Sequence, residues 1–151
     1  MKAIDGIHLI IDAKYCNPDK LKDEKLLKDT LNNFPGELQM NKIAPAVVHR
    51  YIGAKPDDWG ISGLILIAES HIIFHTFPEH RFVWVDIFSC KEFQITAALG
   101  KIKKTFQAGK IRHWVLNRGI HLEKVANTKT FLENGNVLDL TSRKRLTSAL
   151  S

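Results

Sequence analysis

Three short segments rich in β-branched, aliphatic or aromatic residues follow one another with almost no chain between them: Leu64 to Ala68, His71 to Thr76 and Phe82 to Ser89. Each has the length and composition of a strand rather than a helix. With links as brief as Glu69-Ser70 and Pro78 to Arg81, the three are expected to form an antiparallel meander.

Pairing the last two strands about Pro78 to Arg81 sets Ser70 opposite Cys90. Pairing the first two about Glu69-Ser70 brings Ser62 close to Phe77 and near His75. In these registers Ser62, Ser70, His75 and Cys90 converge on one end of the sheet, and a one-residue slip would turn side chains to the other face. Two-residue hairpin turns favour glycine because they need positive φ, and Glu69-Ser70 has none, so this turn is expected to be strained.

The rest of the chain reads as a scaffold for the meander. A strand from Gly6 to Ala13 precedes a helix from Asp19 to Phe34, on which Leu21, Leu27 and Leu31 fall along one stripe and Asn17-Pro18 or Asp19 gives the start signal. After a loop at Pro35-Gly36 come a strand around Ala44 to Tyr51, the meander, a helix from about Glu92 to Phe106 and a strand from Lys110 to Leu116. The expected fold class is α+β: a two-layer sandwich, an antiparallel sheet with two helices packed on one face. Asn134-Gly135 is a hairpin dipeptide that could join Thr128 to Leu132 with Val137 to Leu140, and the stretch after Thr141 reads as a tail.

At 151 residues the chain is expected to be a single domain, and its proportions of hydrophobic and charged residues are ordinary for a globular protein. It has no apolar run long enough for a membrane span and no signal peptide, which points to the cytoplasm. There Cys16 and Cys90 are expected to stay unpaired, and neither their spacing nor the scattered histidines indicate a metal site. The formal charge of +6 is concentrated in Lys101 to Lys104, Lys110 to Arg112 and Arg143 to Arg145. These read as solvated faces, and with no nucleic-acid-binding signature beside them nucleic acid is not expected as a partner.

Taken singly, the polar residues of the meander have plain structural readings. Ser70 beside Glu69 is a turn, His75 a satisfied core histidine, Cys90 a small buried hydrophobe and Ser62 a strand start. Together they place a hydroxyl, an imidazole and a thiol in one short apolar region, a combination found more often for chemistry than for packing.

The run Ala68-Glu69-Ser70-His71, His75-Thr76, Pro78-Glu79, followed by Val85-Asp86-Ile87-Phe88-Ser89-Cys90, resembles the prokaryotic S-adenosylmethionine decarboxylase proenzymes, which are pyruvoyl-dependent enzymes of polyamine synthesis. Gly6-Ile7-His8-Leu9-Ile10, Cys16-Asn17-Pro18, His49-Arg50-Tyr51 and Gly60-Ile61-Ser62-Gly63 extend the likeness over roughly residues 5 to 120.

The resemblance implies self-cleavage between Glu69 and Ser70 into a β chain, residues 1–69, and an α chain, residues 70–151. The Ser70 hydroxyl would attack the Glu69 carbonyl, the ester would undergo β-elimination, and hydrolysis would leave Ser70 as a pyruvoyl group. That group would form a Schiff base with the substrate amine and act as electron sink, as pyridoxal phosphate does elsewhere. By the same resemblance His75 transfers the proton during processing, Ser62 assists cleavage by hydrogen bonding, and Cys90 is the general acid that protonates the decarboxylated carbon. Tyr51 and Phe77 would stack on the substrate, Glu79 would take its ribose hydroxyls, and the unit would be a homodimer with active sites near the subunit interface.

The chain departs from the family pattern in a longer link from Ile52 to Trp59, in Phe77 where tryptophan or tyrosine is frequent, and in Lys91 where glycine is common. Two alternatives therefore stay open: a paralogous arginine or ornithine decarboxylase with the same cofactor, and an uncleaved homologue that binds a metabolite or partner.

Overall fold

The computed structural model describes residues 6–119, so the hairpin expected about Asn134-Gly135 and the tail after Thr141 lie outside the described residues. The elements run β1 (Gly6–Lys14), α1 (Pro18–Leu21), α2 (Glu24–Glu37), β2 (Val47–Ile52), β3 (Trp59–Ile67), β4 (Ser70–Phe77), β5 (Phe82–Ser89), α3 (Ile95–Phe106) and β6 (Lys110–Arg118). All six strands form one antiparallel sheet in the order β2-β3-β4-β5-β1-β6. The fold is an α+β sandwich, and β3, β4 and β5 are the expected meander at its centre.

Among the described residues there are three helices where two were expected, because the first divides. Asn17 caps α1 by accepting from the Asp19 N–H, with Pro18 in the first turn, where its missing N–H costs nothing. Two residues past Leu21, the Asp23 carboxylate accepts from the Leu26 N–H and starts α2 afresh. Helix α2 also runs past the expected loop at Pro35-Gly36 to Glu37, because Pro35 is buried among core side chains. Leu38 caps the helix, and Gln39 beyond it adopts positive φ.

Leu27, Leu31 and Phe34 of α2, spaced for one helical stripe, and Ala98, Ile102 and Phe106 of α3 bury against one sheet face. The sheet answers with Leu9, Ile11, Ile61, Ile65, Ile72, Phe74, Val85 and Ile87, all essentially inaccessible. Phe74 sits between Phe34 and Phe106, its ring centroid 6.1 and 5.8 Å from theirs, and fixes the helices over the middle of β4.

The strict alternation that buries these residues sends the intervening ones to the opposite face. Among the described residues no element covers that face, which carries Leu64, Leu66, Trp84, Trp114 and Leu116, all well exposed. His8, His71, His75 and Asp86 lie among them, so the polar residues of the motif look out from an apolar surface.

Candidate active site

The β3–β4 turn consists of Ala68 and Glu69, one residue earlier than expected, and the last pair of the ladder joins Ile67 to Ser70. Ser70 leaves the turn with φ of 153°, a conformation that glycine adopts easily and serine does not. Backbone in such a region costs on the order of 1–3 kcal/mol and persists only where its surroundings impose it. The strain expected of this glycine-free turn therefore falls on Ser70.

The neighbouring groups hold Glu69 from both sides. Its carboxylate accepts hydrogen bonds from the Asn41 backbone N–H and Asn41 Nδ2, both 3.0 Å away. Burial pushes this carboxyl up, but the bonds from Asn41 and from its own N–H, with Lys91 nearby, bring it net below the usual carboxylate range. Its main-chain carbonyl accepts from the Cys90 N–H at 3.0 Å.

Cys90 thus reaches the Glu69–Ser70 peptide, though not in the expected register. The turn at Pro78 to Arg81 closes on the pair Phe77 and Phe82, which sets Ser89 opposite Ser70 and leaves Cys90 one residue beyond the ladder. Ser89 Oγ accepts from the Lys91 N–H and donates to the Lys91 carbonyl, making a bend that turns the Cys90 side chain outward, where its thiol is free.

Ser62 and His75 form a second pair. The earlier turn slides β3 by two residues from the expected pairing, so Ser62 lies directly across from His75 rather than near Phe77. Ser62 Oγ and His75 Nδ1 are 2.9 Å apart on the open sheet face.

The two pairs do not converge within one chain. Ser70 opens β4 and His75 lies five residues along it, a separation far beyond any hydrogen bond at the rise of an extended strand. The expected gathering of Ser62, Ser70, His75 and Cys90 at one end of the sheet is corrected accordingly: Ser70 with Cys90 at one end, Ser62 with His75 toward the other. The physical reason is the turn, since moving it one residue shifts every pair of the β3–β4 ladder.

Beside Ser62 and His75 opens a cavity of about 340 Å³ lined chiefly by Tyr51, Asp58, Trp59, Phe77 and Trp84. Phe77 and Trp84 meet edge to face with centroids 4.6 Å apart. Tyr51 Oη donates to Asp58 at 3.3 Å, and Trp59 Nε1 donates to Glu79 at 3.0 Å, which puts Glu79 at the rim through Trp59. The Arg50 guanidinium covers the Trp59 ring at 4.4 Å. Gly60 floors the cavity, because a Cβ there would meet the Thr76 carbonyl oxygen at 1.9 Å.

Of the residues expected at a substrate pocket, Tyr51 and Phe77 line this cavity and Glu79 reaches it only through Trp59, while sequence reasoning missed Asp58, Trp59 and Trp84, which also line it. The signal for Trp84 was available, since it occupies the same alternate positions as Phe82 and Asp86. Asp58 and Trp59 belong to the longer link, whose contribution depends on how it folds back. Also missed were His71, whose Nδ1 is 3.1 Å from Ser70 Oγ, and the pair His8 Nε2 and Asp86 Oδ1 at 2.9 Å. Among the described residues no group of three or more His, Cys, Asp or Glu could hold a metal ion, and no helix is long and apolar enough to cross a membrane.

Fold and site define a class: a two-layer α+β sandwich carrying a strained serine, two imidazoles and a free thiol along one hairpin of its open sheet face. The model of the S-adenosylmethionine decarboxylase family matches residues 7–119, three quarters of the chain. The chain is 40% identical over 87 residues to the S-adenosylmethionine decarboxylase proenzyme of Thermodesulfovibrio yellowstonii, covering 58% of this chain and 60% of that one. Over 87 residues it is 34% identical to the proenzyme of the same name from Clostridium botulinum, 58% of this chain and 70% of that one. The crystal structure of the adenosylmethionine decarboxylase from Aquifex aeolicus superposes with a TM-score of 0.63 at 27% identity, covering 80% of this chain and 94% of that one. This chain belongs to the S-adenosylmethionine decarboxylase family.

Proposed function

We propose that the protein is a self-processing, pyruvoyl-dependent S-adenosylmethionine decarboxylase that releases CO2 and decarboxylated S-adenosylmethionine, the aminopropyl donor for spermidine and other polyamines. The observation that carries this reading is the Glu69–Ser70 peptide. Its serine is held at φ of 153°, its carbonyl accepts the Cys90 N–H, and the hydroxyl that would attack that carbonyl is covalently adjacent.

In this reading 1–151 is one domain that cleaves into residues 1–69 and 70–151. Attack by Ser70 Oγ converts the Glu69–Ser70 amide to an ester and relieves the backbone strain. His75 removes the ester's α-proton, its ring held by Ser62, and hydrolysis of the resulting dehydroalanine releases ammonia and leaves the pyruvoyl group. Bound at residue 70, that carbonyl supplies the electron sink for decarboxylation. The Cys90 thiol, turned outward by the Ser89–Lys91 bend, donates the proton to the substrate carbon. Tyr51 and Phe77 offer flat partners for adenine and sulfonium, and Glu79 takes ribose hydroxyls at the rim.

The separation of Ser70 from His75 along β4 supports a homodimer as the active unit. A two-fold copy packed on the open sheet face sets the Ser62–His75 cavity of one protomer against the Ser70–Cys90 end of the other. The exposed Leu64, Leu66, Trp84 and Trp114 suit such a contact, being far more apolar than a solvated sheet face needs to be. The site of action is the cytoplasm.

The direct test is the mass of the fragment beginning at residue 70, because a pyruvoyl terminus differs in mass from a serine terminus. It is joined to CO2 release from S-adenosylmethionine, arginine and ornithine. An intact chain after long incubation overturns self-processing, and release from arginine or ornithine but not S-adenosylmethionine overturns the substrate.

A further inference from the structure

Processing begins with an attack by an alcohol, and an alcohol needs a base. Among the described residues the exposed Cys90 thiol makes no hydrogen bond to Ser70 Oγ, and His75 is five residues along the strand, so neither is in place for this step within the chain. The group that touches the hydroxyl is His71, whose Nδ1 lies 3.1 Å from Ser70 Oγ. That contact follows from the strained φ of Ser70, which brings its hydroxyl toward a ring that points to the open sheet face.

The ring of His71 is set in a defined frame. Phe88, its cross-strand partner on β5, packs against it with centroids 5.8 Å apart and packs equally, at 5.8 Å, against His8 of β1. The Asp86 carboxylate holds His8 at 2.9 Å, and the Arg118 guanidinium of β6 lies 4.3 Å over the Phe88 ring. On the β3 side the partner of His71 is Leu66, which is apolar. The carboxylate of this cluster is thus taken by His8, and among the described residues His71 has no anion of its own.

We propose that His71 is the base for the first step of self-cleavage, a role that rests on the self-processing reading above. In the Nε2–H tautomer, Nδ1 accepts the Ser70 hydroxyl proton as Oγ bonds to the Glu69 carbonyl carbon. The Cys90 N–H stabilises the oxyanion. The C–N bond of the peptide then breaks, and the proton on Nδ1 passes to the departing nitrogen of residue 70. Amide becomes ester with no net gain or loss of atoms. His71 and His75 thereby divide the work, one for the acyl shift and one for the elimination.

Burial, and after it the positive charge of His8, pushes His71 below the ordinary imidazole value, with Arg118 adding to this and Asp86 opposing it. The ring is therefore neutral and able to accept a proton at neutral pH.

The experiment follows cleavage of freshly purified precursor over time in wild type, His71→Asn, His71→Ala with and without imidazole, and His75→Ala. Asparagine keeps a hydrogen-bonding atom near the position of Nδ1 but cannot take a proton. His71→Asn is expected to cleave about a hundredfold more slowly, the usual range for loss of a general base. Imidazole is expected to restore cleavage to His71→Ala. The wild-type rate should rise with pH through an inflection below the ordinary histidine value that the asparagine variant lacks. Hydroxylamine separates the two steps: it cleaves the ester that accumulates in His75→Ala but not the amide that persists in His71→Asn. Wild type that cleaves beside a His71→Asn protein of equal rate and pH profile overturns the role of His71 alone. Wild type that never cleaves overturns the self-processing reading and this role with it. Circular dichroism of the asparagine variant, matching wild type, excludes misfolding as the cause of slow cleavage.

Discussion

Separation of Ser70 from His75 yields a prediction that no single-chain site allows. Five residues of extended β4, at about 3.4 Å each, hold them apart by several times the reach of a hydrogen bond. In the proposed dimer each cleavage centre combines Ser70 of one protomer with His75 of the other. Ser70→Ala and His75→Ala chains, each inactive alone, are coexpressed in equal amounts with different affinity tags. Random pairing makes about half of the dimers mixed, and each mixed dimer contains one intact combination, the wild-type Ser70 of one chain against the wild-type His75 of the other. About half of the Ser70-bearing chains should therefore cleave, seen as a fragment beginning at residue 70 on denaturing electrophoresis with mass spectrometry. Purification through both tags in succession should raise that fraction toward completion. Mixed dimers recovered intact with no cleaved chain refute the shared site. Monomers in which wild type still cleaves refute both the shared site and a second copy as the occupant of the open sheet face.

Other expectations follow from single residues. Ser70→Ala should remain one 151-residue chain without activity, whereas Cys90→Ala should mature and then release CO2 poorly, measured by fragment mass and gas release. Gly60→Ala puts a Cβ 1.9 Å from the Thr76 carbonyl oxygen, and should cost about 1–3 kcal/mol and lower Tm by several degrees in a circular-dichroism melt. Phe74→Ala empties the space between Phe34 and Phe106 and should cost about 3–5 kcal/mol in denaturant unfolding. Burial pushes the Cys16 thiol up to about 11 from 9.0, so its neutral form is the one the fold favours. Stability from this group is complete below pH 9 and falls as pH rises toward 11, and Cys16→Ala should flatten that alkaline limb.

Alternation made the strands of the meander legible, since a buried sheet face demands an apolar residue at every second position, and β5 matches its expected bounds at Phe82 and Ser89. The divided first helix was harder. Asp23 reads equally as an exposed helical residue or as a cap, and only the backbone turn after Leu21 makes it a cap. The registers failed by one and two residues because strand pairing hangs on which residues make each turn, and Glu69 serves sterically as well inside the Ala68-Glu69 turn as inside Glu69-Ser70.

By itself, the sequence determined the chemistry available to this protein: a serine after a glutamate, two histidines and a cysteine at spacings long enough to mark the family, on strands whose alternation requires a covered face. Where those groups stand was decided by tertiary structure. Chain order cannot show that Ser62 lies against His75, that His71 rather than His75 touches Ser70 Oγ, or that Asp58, Trp59 and Trp84 join Tyr51 and Phe77 around one cavity. The reason is physical: side chains on a sheet meet across strands through the register, and register is set by turns and packing rather than by any residue's identity.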